Sequence, residues 1–178
     1  MTRENLDVIP EFDLPPGYLL RWYQPGDERY WVAIQRQADL YNAITSELFT
    51  QQFGLAGELP ARQCYLTDRS GTPVGTASAW FNPDYRGQPY GRVHWVAIVP
   101  EMQGRGLSKP LLSAVCHRLR ELGHRRAYLT TAPQRTAAIC LYLKFGFRPE
   151  IISPEDEEEW AKIRSLLPSD TYGRRAQR

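Results

Sequence analysis

From Val93 to Val99 the hydrophobic positions fall on both parities, Val93, Trp95, Ala97 and Val99 alternating with His94, Val96 and Ile98. A run this apolar on both faces predicts a central strand covered on both sides. Pro100 ends the ladder by removing a donor. Gln103, Gly104, Arg105, Gly106, Leu107 and Ser108 follow, with two glycines free to take positive φ. The period then changes: Leu107, Leu111, Leu112, Val115, Leu119 and Leu122 keep helical spacing. A buried strand thus feeds a long amphipathic helix through an open turn.

The rest of the pattern arranges itself around that unit. Residues 1–16 are polar, end on Pro15 and Pro16, and read as a loose or surface-wrapping segment. Residues 18–23 alternate as a first strand. A turn at Pro25, Gly26 and Asp27 opens a helix over 28–40 with Tyr30, Trp31, Ile34 and Ala38 on one face, and a short helix follows Thr45. Residues 63–67 and 73–81 read as a hairpin around Asp68, Arg69, Ser70 and Gly71. Residues 82–92, with two prolines and two glycines, are expected to be irregular. Downstream, residues 126–131 predict a strand parallel to the central one, because the long helix makes the crossover. Pro133 introduces another helix, and residues 147–152 read as a further strand. Ser153, Pro154 and Asp156 form a helix start with proline at N1 and an acid at N3. Residues 168–178 read as a frayed basic tail.

Length and charge narrow the classes. The 178 residues suffice for one domain, expected over 1–178, and the net charge of +2 gives no electrostatic case for nucleic acid. Cys64, Cys116 and Cys140 stand in apolar periodic segments without metal-ligand spacing, which points to reduced core thiols. The acidic run after Pro154 complements a helix dipole, so no metal site is expected. No apolar run approaches the ~20 residues of a membrane span, and the N-terminal stretch lacks a signal-type apolar region; a cytoplasmic protein away from membranes is expected.

The turn has chemistry of its own. It gathers backbone N–H groups at the positive end of a helix dipole, an arrangement that binds phosphate. Arg105 and Lys109 add charge, and Pro110 is tolerated this early in a helix. A Walker A loop is excluded because GxxxxGK[ST] is absent. The dinucleotide fingerprint fails because Lys109 stands where its third glycine or alanine belongs.

The string from Val99 to Leu107, V-P-E-x-Q-G-R-G-L, resembles the acetyl-CoA-binding signature of the GNAT superfamily of N-acetyltransferases, Q/R-x-x-G-x-G/A. Gln103, Gly106 and Ser108 match it, with serine in place of the usual glycine or alanine. A second block, Ala137 to Phe147, resembles the family's N-x-x-A-x-x-L-Y-x-x-x-G-F segment, with Arg135 at the asparagine position. The resemblance implies an α/β (α+β) fold with a mixed central sheet of six to seven strands, flanked by helices and splayed between its two central parallel strands. It also implies acetyl-CoA as cofactor, a small-molecule amine or peptide N-terminus as acceptor, and direct transfer in a ternary complex by a monomer or homodimer. Residues 97–99 and 103–109, with Arg135, Ala138 and Tyr142, would bind the cofactor.

Transfer from a thioester to an amine needs a polarised carbonyl, a deprotonated amine and a protonated leaving thiolate. Backbone N–H groups of Ala97, Ile98 and Val99 would serve the first need. Tyr142, four residues before Gly146, matches the family's thiolate-protonating tyrosine, and a phenol is a suitable donor. His94 is the candidate base, with Glu47, Asp84, Glu101 and water as rivals. Trp31, Tyr41 and Phe49 are either core residues or walls of the acceptor site, and Asp84, Tyr85, Arg86 and Tyr90 are candidate acceptor contacts on a loop. Two other readings stand beside the enzyme: a non-catalytic acyl-CoA-binding module, and a structural protein of the same fold.

Overall fold

A computed structural model describes residues 1–54 and 56–168. The strands are β1 (Thr2–Arg3), β2 (Leu19–Trp22), β3 (Gln63–Thr67), β4 (Pro73–Tyr85), β5 (Gln88–Ile98) and β6 (Ala127–Tyr128). The helices are α1 (Glu28–Ala38), α2 (Ser46–Gln52), α3 (Leu59–Arg62), α4 (Ser108–Glu121), α5 (Thr136–Lys144) and α6 (Pro154–Leu166). They build a mixed six-stranded sheet in the order β1-β6-β5-β4-β3-β2, antiparallel except where β5 meets β6. The expected crossover from β5 through α4 to β6 therefore gives the parallel pair.

Two expectations are corrected and one is narrowed. Residues 82–92 are not irregular: β4 runs on to Tyr85, turns at Arg86 and Gly87, and β5 returns from Gln88. Both turn residues take positive φ (58° and 75°), which closes a tight hairpin, while Pro83 and Pro89 lie near its tip where ladder bonds are sparse. Residues 1–16 are not loose. Thr2 and Arg3 pair with Tyr128 and Ala127, Leu6 and Ile9 are buried, and the Ser113 hydroxyl donates to the Pro10 carbonyl at 2.5 Å. Residues 147–152 form no strand; Arg148 makes a single bridge to Thr2. The position beside β6 is already taken by β1. Residues 169–178, read as a basic tail, lie outside the described residues.

Aromatic packing fixes α1 and α2 to one face of the sheet. Trp31 meets Phe49, Phe53 and Trp95 edge-on at 5.3, 5.8 and 5.1 Å between centroids, and Phe53 meets Trp80 at 5.2 Å. Trp31 and Phe49 are thus core. On the other face Leu111, Leu112, Val115, Cys116 and Leu119 of α4 are buried, as their spacing predicts. Gly91 on β5 shows why that contact needs a bare backbone: an added Cβ would lie 2.8 Å from a Leu119 methyl. Cys64 and Cys116 are free and buried, and Cys140 is half-buried. No helix among the described residues is long and apolar enough to cross a membrane.

The two parallel strands stay together only briefly. Their register holds at Gly91↔Ala127 and Arg92↔Tyr128, while β5 continues to Ile98. Beyond Tyr128 the chain turns its bonds the other way, Leu129 donating to the Met1 carbonyl at 2.9 Å. The two strands therefore part toward their C-terminal ends.

Candidate functional site

At the head of this slot stands the glycine turn. Gly104 and Gly106 take φ of 74° and 79°, and a Cβ built on either meets nothing within 4 Å. The turn is open, and at these φ values any residue but glycine would be strained. Helix α4 begins immediately after it, with Ser108 as first residue and no side-chain cap on its N-terminal amides. α1 and α5 also start without a side-chain cap, whereas α2 is capped by Thr45 and α6 by a full capping box at Ser153. An uncapped helix start behind an open glycine cradle suits the diphosphate of coenzyme A. Lys109 lies in the first turn with its ammonium 5.3 Å from the Phe12 ring, and Arg105 folds back to donate to the Glu101 carbonyl at 3.2 Å. Leu107 is buried and anchors the turn to the core.

The turn is tied to the strand by one side chain. The Gln103 amide donates to the Ile98 carbonyl at 2.9 Å, which gives that glutamine a structural reason. In an extended strand the N–H and C=O of one residue point to the same edge. Val99 donates to Val74 on β4 at 2.9 Å, so Val99, and by alternation Ala97, face β4. Of the three residues proposed to polarise a carbonyl, Ile98 is the one whose amide faces the slot. The others are spent on the ladder.

Tyr142 and Arg135 sit on α5, at its inner face and its N-cap, with Ala138 half-buried between them. Tyr142 is 8% exposed, its ring edge-on to Phe147, and burial pushes its pKa up to about 12. It stays a protonated phenol across the neutral range. Arg135 departs from the family asparagine and makes a bond of another kind. Its guanidinium donates to Asp39, just past α1, at 2.9 Å, and lies 5.0 Å over the Tyr41 ring. Asp39 is buried and also accepts from the amides of Tyr41 and Asn42 and from the Asn42 side chain. Burial raises its pKa, but these donors outweigh it and hold the carboxyl below the usual range.

His94 is not brought into this group. It is 5% exposed, packed against Phe53 and Trp95, and its Nε2 has no partner. Burial and the nearby Arg92 push its pKa down to about 2, so the imidazole is neutral at working pH and a poor proton acceptor. The carboxylate rivals are exterior. Asp84 accepts from the Gly87 amide within the hairpin turn, Glu47 is exposed in the first turn of α2, and Glu101 is exposed beside the glycine turn. Tyr85 stacks on Tyr128 at 3.9 Å and donates to Glu150 at 2.5 Å, Arg86 pairs with Glu150 at 2.6 Å, and Tyr90 donates to Glu4 at 2.9 Å. These three fasten the hairpin to its surroundings.

Sequence reasoning passed over Gln35, Asp39 and Gln52. Gln35 was detectable: it follows Trp31 by four residues on the apolar face of α1, and a polar side chain buried there must have a partner. Its side chain donates to the Trp95 carbonyl at 2.9 Å.

The model of the GNAT acetyltransferase family matches residues 18–147. A mycothiol acetyltransferase of Pseudarthrobacter chlorophenolicus is 32% identical over 153 residues, covering 83% of this chain and 47% of that protein. A mycothiol acetyltransferase of Nocardia farcinica is 46% identical over 151 residues, covering 79% and 48%. The chain thus spans about half the length of the curated relatives it matches. Among solved structures, a GCN5-related N-acetyltransferase from Sphaerobacter thermophilus superposes with a TM-score of 0.67 at 24% identity, covering 83% of this chain and 46% of that one. The NatC complex bound to Gag peptide and CoA gives 0.65 at 16% identity, covering 76% and 87%. With its family signature on an open glycine turn and its central strands parted in the same fold, the chain belongs to the GNAT acetyltransferase family.

Proposed function

We propose that this chain transfers an acetyl group from acetyl-CoA to a primary amine of a small molecule or peptide. One observation supports the reading: β5 parts from β6 at the end that the glycine turn and the uncapped start of α4 follow. Acetyl-CoA supplies the thioester and, once the acetyl group has left, a thiolate. Gly104, Gly106, Ser108 and Lys109 hold its diphosphate, and Arg135, Ala138 and the inner face of α5 flank its pantetheine arm. The Ile98 amide donates to a carbonyl oxygen placed in the slot, a contact worth ~3 kcal/mol when preorganised. Tyr142, held protonated by burial, delivers a proton to the sulfur. His94 is too deeply desolvated to take the ammonium proton, so the amine loses it to water.

The relatives' name makes the unacetylated form of mycothiol the first acceptor to try, within a panel of small amines and peptides. The test is release of free CoA thiol from acetyl-CoA, dependent on one amine. Binding of acetyl-CoA without release by any amine would favour the non-catalytic module, and absence of binding would overturn the cofactor assignment.

A further inference from the structure

Trp95 breaks the regularity of β5 twice. Its φ is +49°, a left-handed conformation that strains a bulky residue. The register also slips there, Thr76 facing Ala97 while Ser78 faces His94, so two residues of β5 oppose Ala77. This is a β-bulge. Two side chains from the opposite layer grip it. Gln35 of α1, 2% exposed, donates to the Trp95 carbonyl at 2.9 Å, and the indole N–H donates to Gln52 of α2 at 3.0 Å. Trp31 closes the site edge-on.

The bulge decides which amide reaches the slot. Backbone polar groups alternate between strand edges with the same period of two as side chains, so adding or removing one residue swaps the edges. Gly91 donates to the Arg126 carbonyl on the β6 side, so in a β5 that alternated regularly from there, with all its residues kept and no bulge, Ile98 would turn its amide to β4 and the slot would lose its donor. We infer that Gln35 is a positioning residue for the acetyl transfer: by binding the outward-turned Trp95 carbonyl it holds the bulge that aims the Ile98 amide at the thioester. Among the described residues no other α1 side chain is hydrogen-bonded to that carbonyl, and a hydrophobic residue at position 35 would remove its partner. The inference rests on the transferase reading above.

Gln35→Met keeps length and volume but removes the donor, and Gln52→Leu loosens the second tie from a half-buried position. In the full chain, kcat of Gln35→Met should fall about tenfold to a hundredfold while KM for acetyl-CoA stays within about twofold. The infrared carbonyl band of bound, carbonyl-labelled acetyl-CoA should lie below that of the free molecule in the wild type. It should move at least halfway back in Gln35→Met, and in the same sense but less in Gln52→Leu. A merely structural glutamine would lower the melting temperature without moving the band of the folded fraction. Unchanged kcat and band in Gln35→Met, with an active wild type, overturn the positioning role alone. If Gln35→Met does not fold, an unshifted band in Gln52→Leu overturns it. A wild type that binds no acetyl-CoA overturns the transferase reading, and this inference with it.

Discussion

Tyr142 and His94 show one physical effect with opposite chemical consequences. Burial disfavours the charged form of each, which lifts the phenol to about 12 and lowers the imidazole to about 2. The tyrosine is thereby kept protonated, while the histidine is kept from taking up a proton. Tyr142→Phe should lower kcat roughly a hundredfold and leave the acetyl-CoA dissociation constant unchanged by calorimetry. His94 should reveal itself in stability instead. Between about pH 6.5 and its folded value of about 2 the unfolded chain binds a proton that the folded chain does not. Stability must therefore fall as pH drops below 6.5, by up to about 1.4 kcal/mol per pH unit from this residue. His124, lowered by burial and Arg62, adds to the same slope. Urea titrations at several pH values should show a shallower slope for His94→Phe, and an unchanged slope would refute the buried neutral state.

Among elements, the strand, turn and long helix were legible because each carries its own period or its own special residue. The two glycines announce positive φ, and Leu107 to Leu119 announce the face that α4 buries. Gly106→Asp puts a strained, negatively charged residue into the cradle. It should abolish acetyl-CoA binding by calorimetry while far-UV circular dichroism stays native. The start of α6 was readable for the same local reason: Ser153 accepts from the Asp156 amide at 3.2 Å and Asp156 accepts from the Ser153 amide at 3.0 Å. Ser153→Ala should cost about 1 kcal/mol in thermal unfolding and leave acetylation untouched. The hairpin tip was misread because proline and glycine counts signal a break without saying that two strands continue up to it.

For the whole molecule, the slot is a property of topology. β1 takes the outer edge of β6, the continuation of β6 bonds to Met1, and β5 beyond Arg92 is left without a strand on that edge. A ligand that binds only the folded chain should fill that edge and stabilise it. Acetyl-CoA at about a hundred times its dissociation constant should add roughly 2.7 kcal/mol, seen as a rise in melting temperature that Gly106→Asp loses.

What the chain determined locally is the glycine turn, the helix faces, the capping box and the pair of family blocks, since each depends on residues within a turn or two of one another. The tertiary structure alone decided that Ile98 rather than Ala97 or Val99 faces the slot. It also decided that His94 is desolvated, that Arg135 reaches Asp39, and that Gln35 holds the Trp95 carbonyl across 60 positions of sequence. Edge orientation, desolvation and long-range pairing are set by what packs opposite a residue, and no local pattern records that.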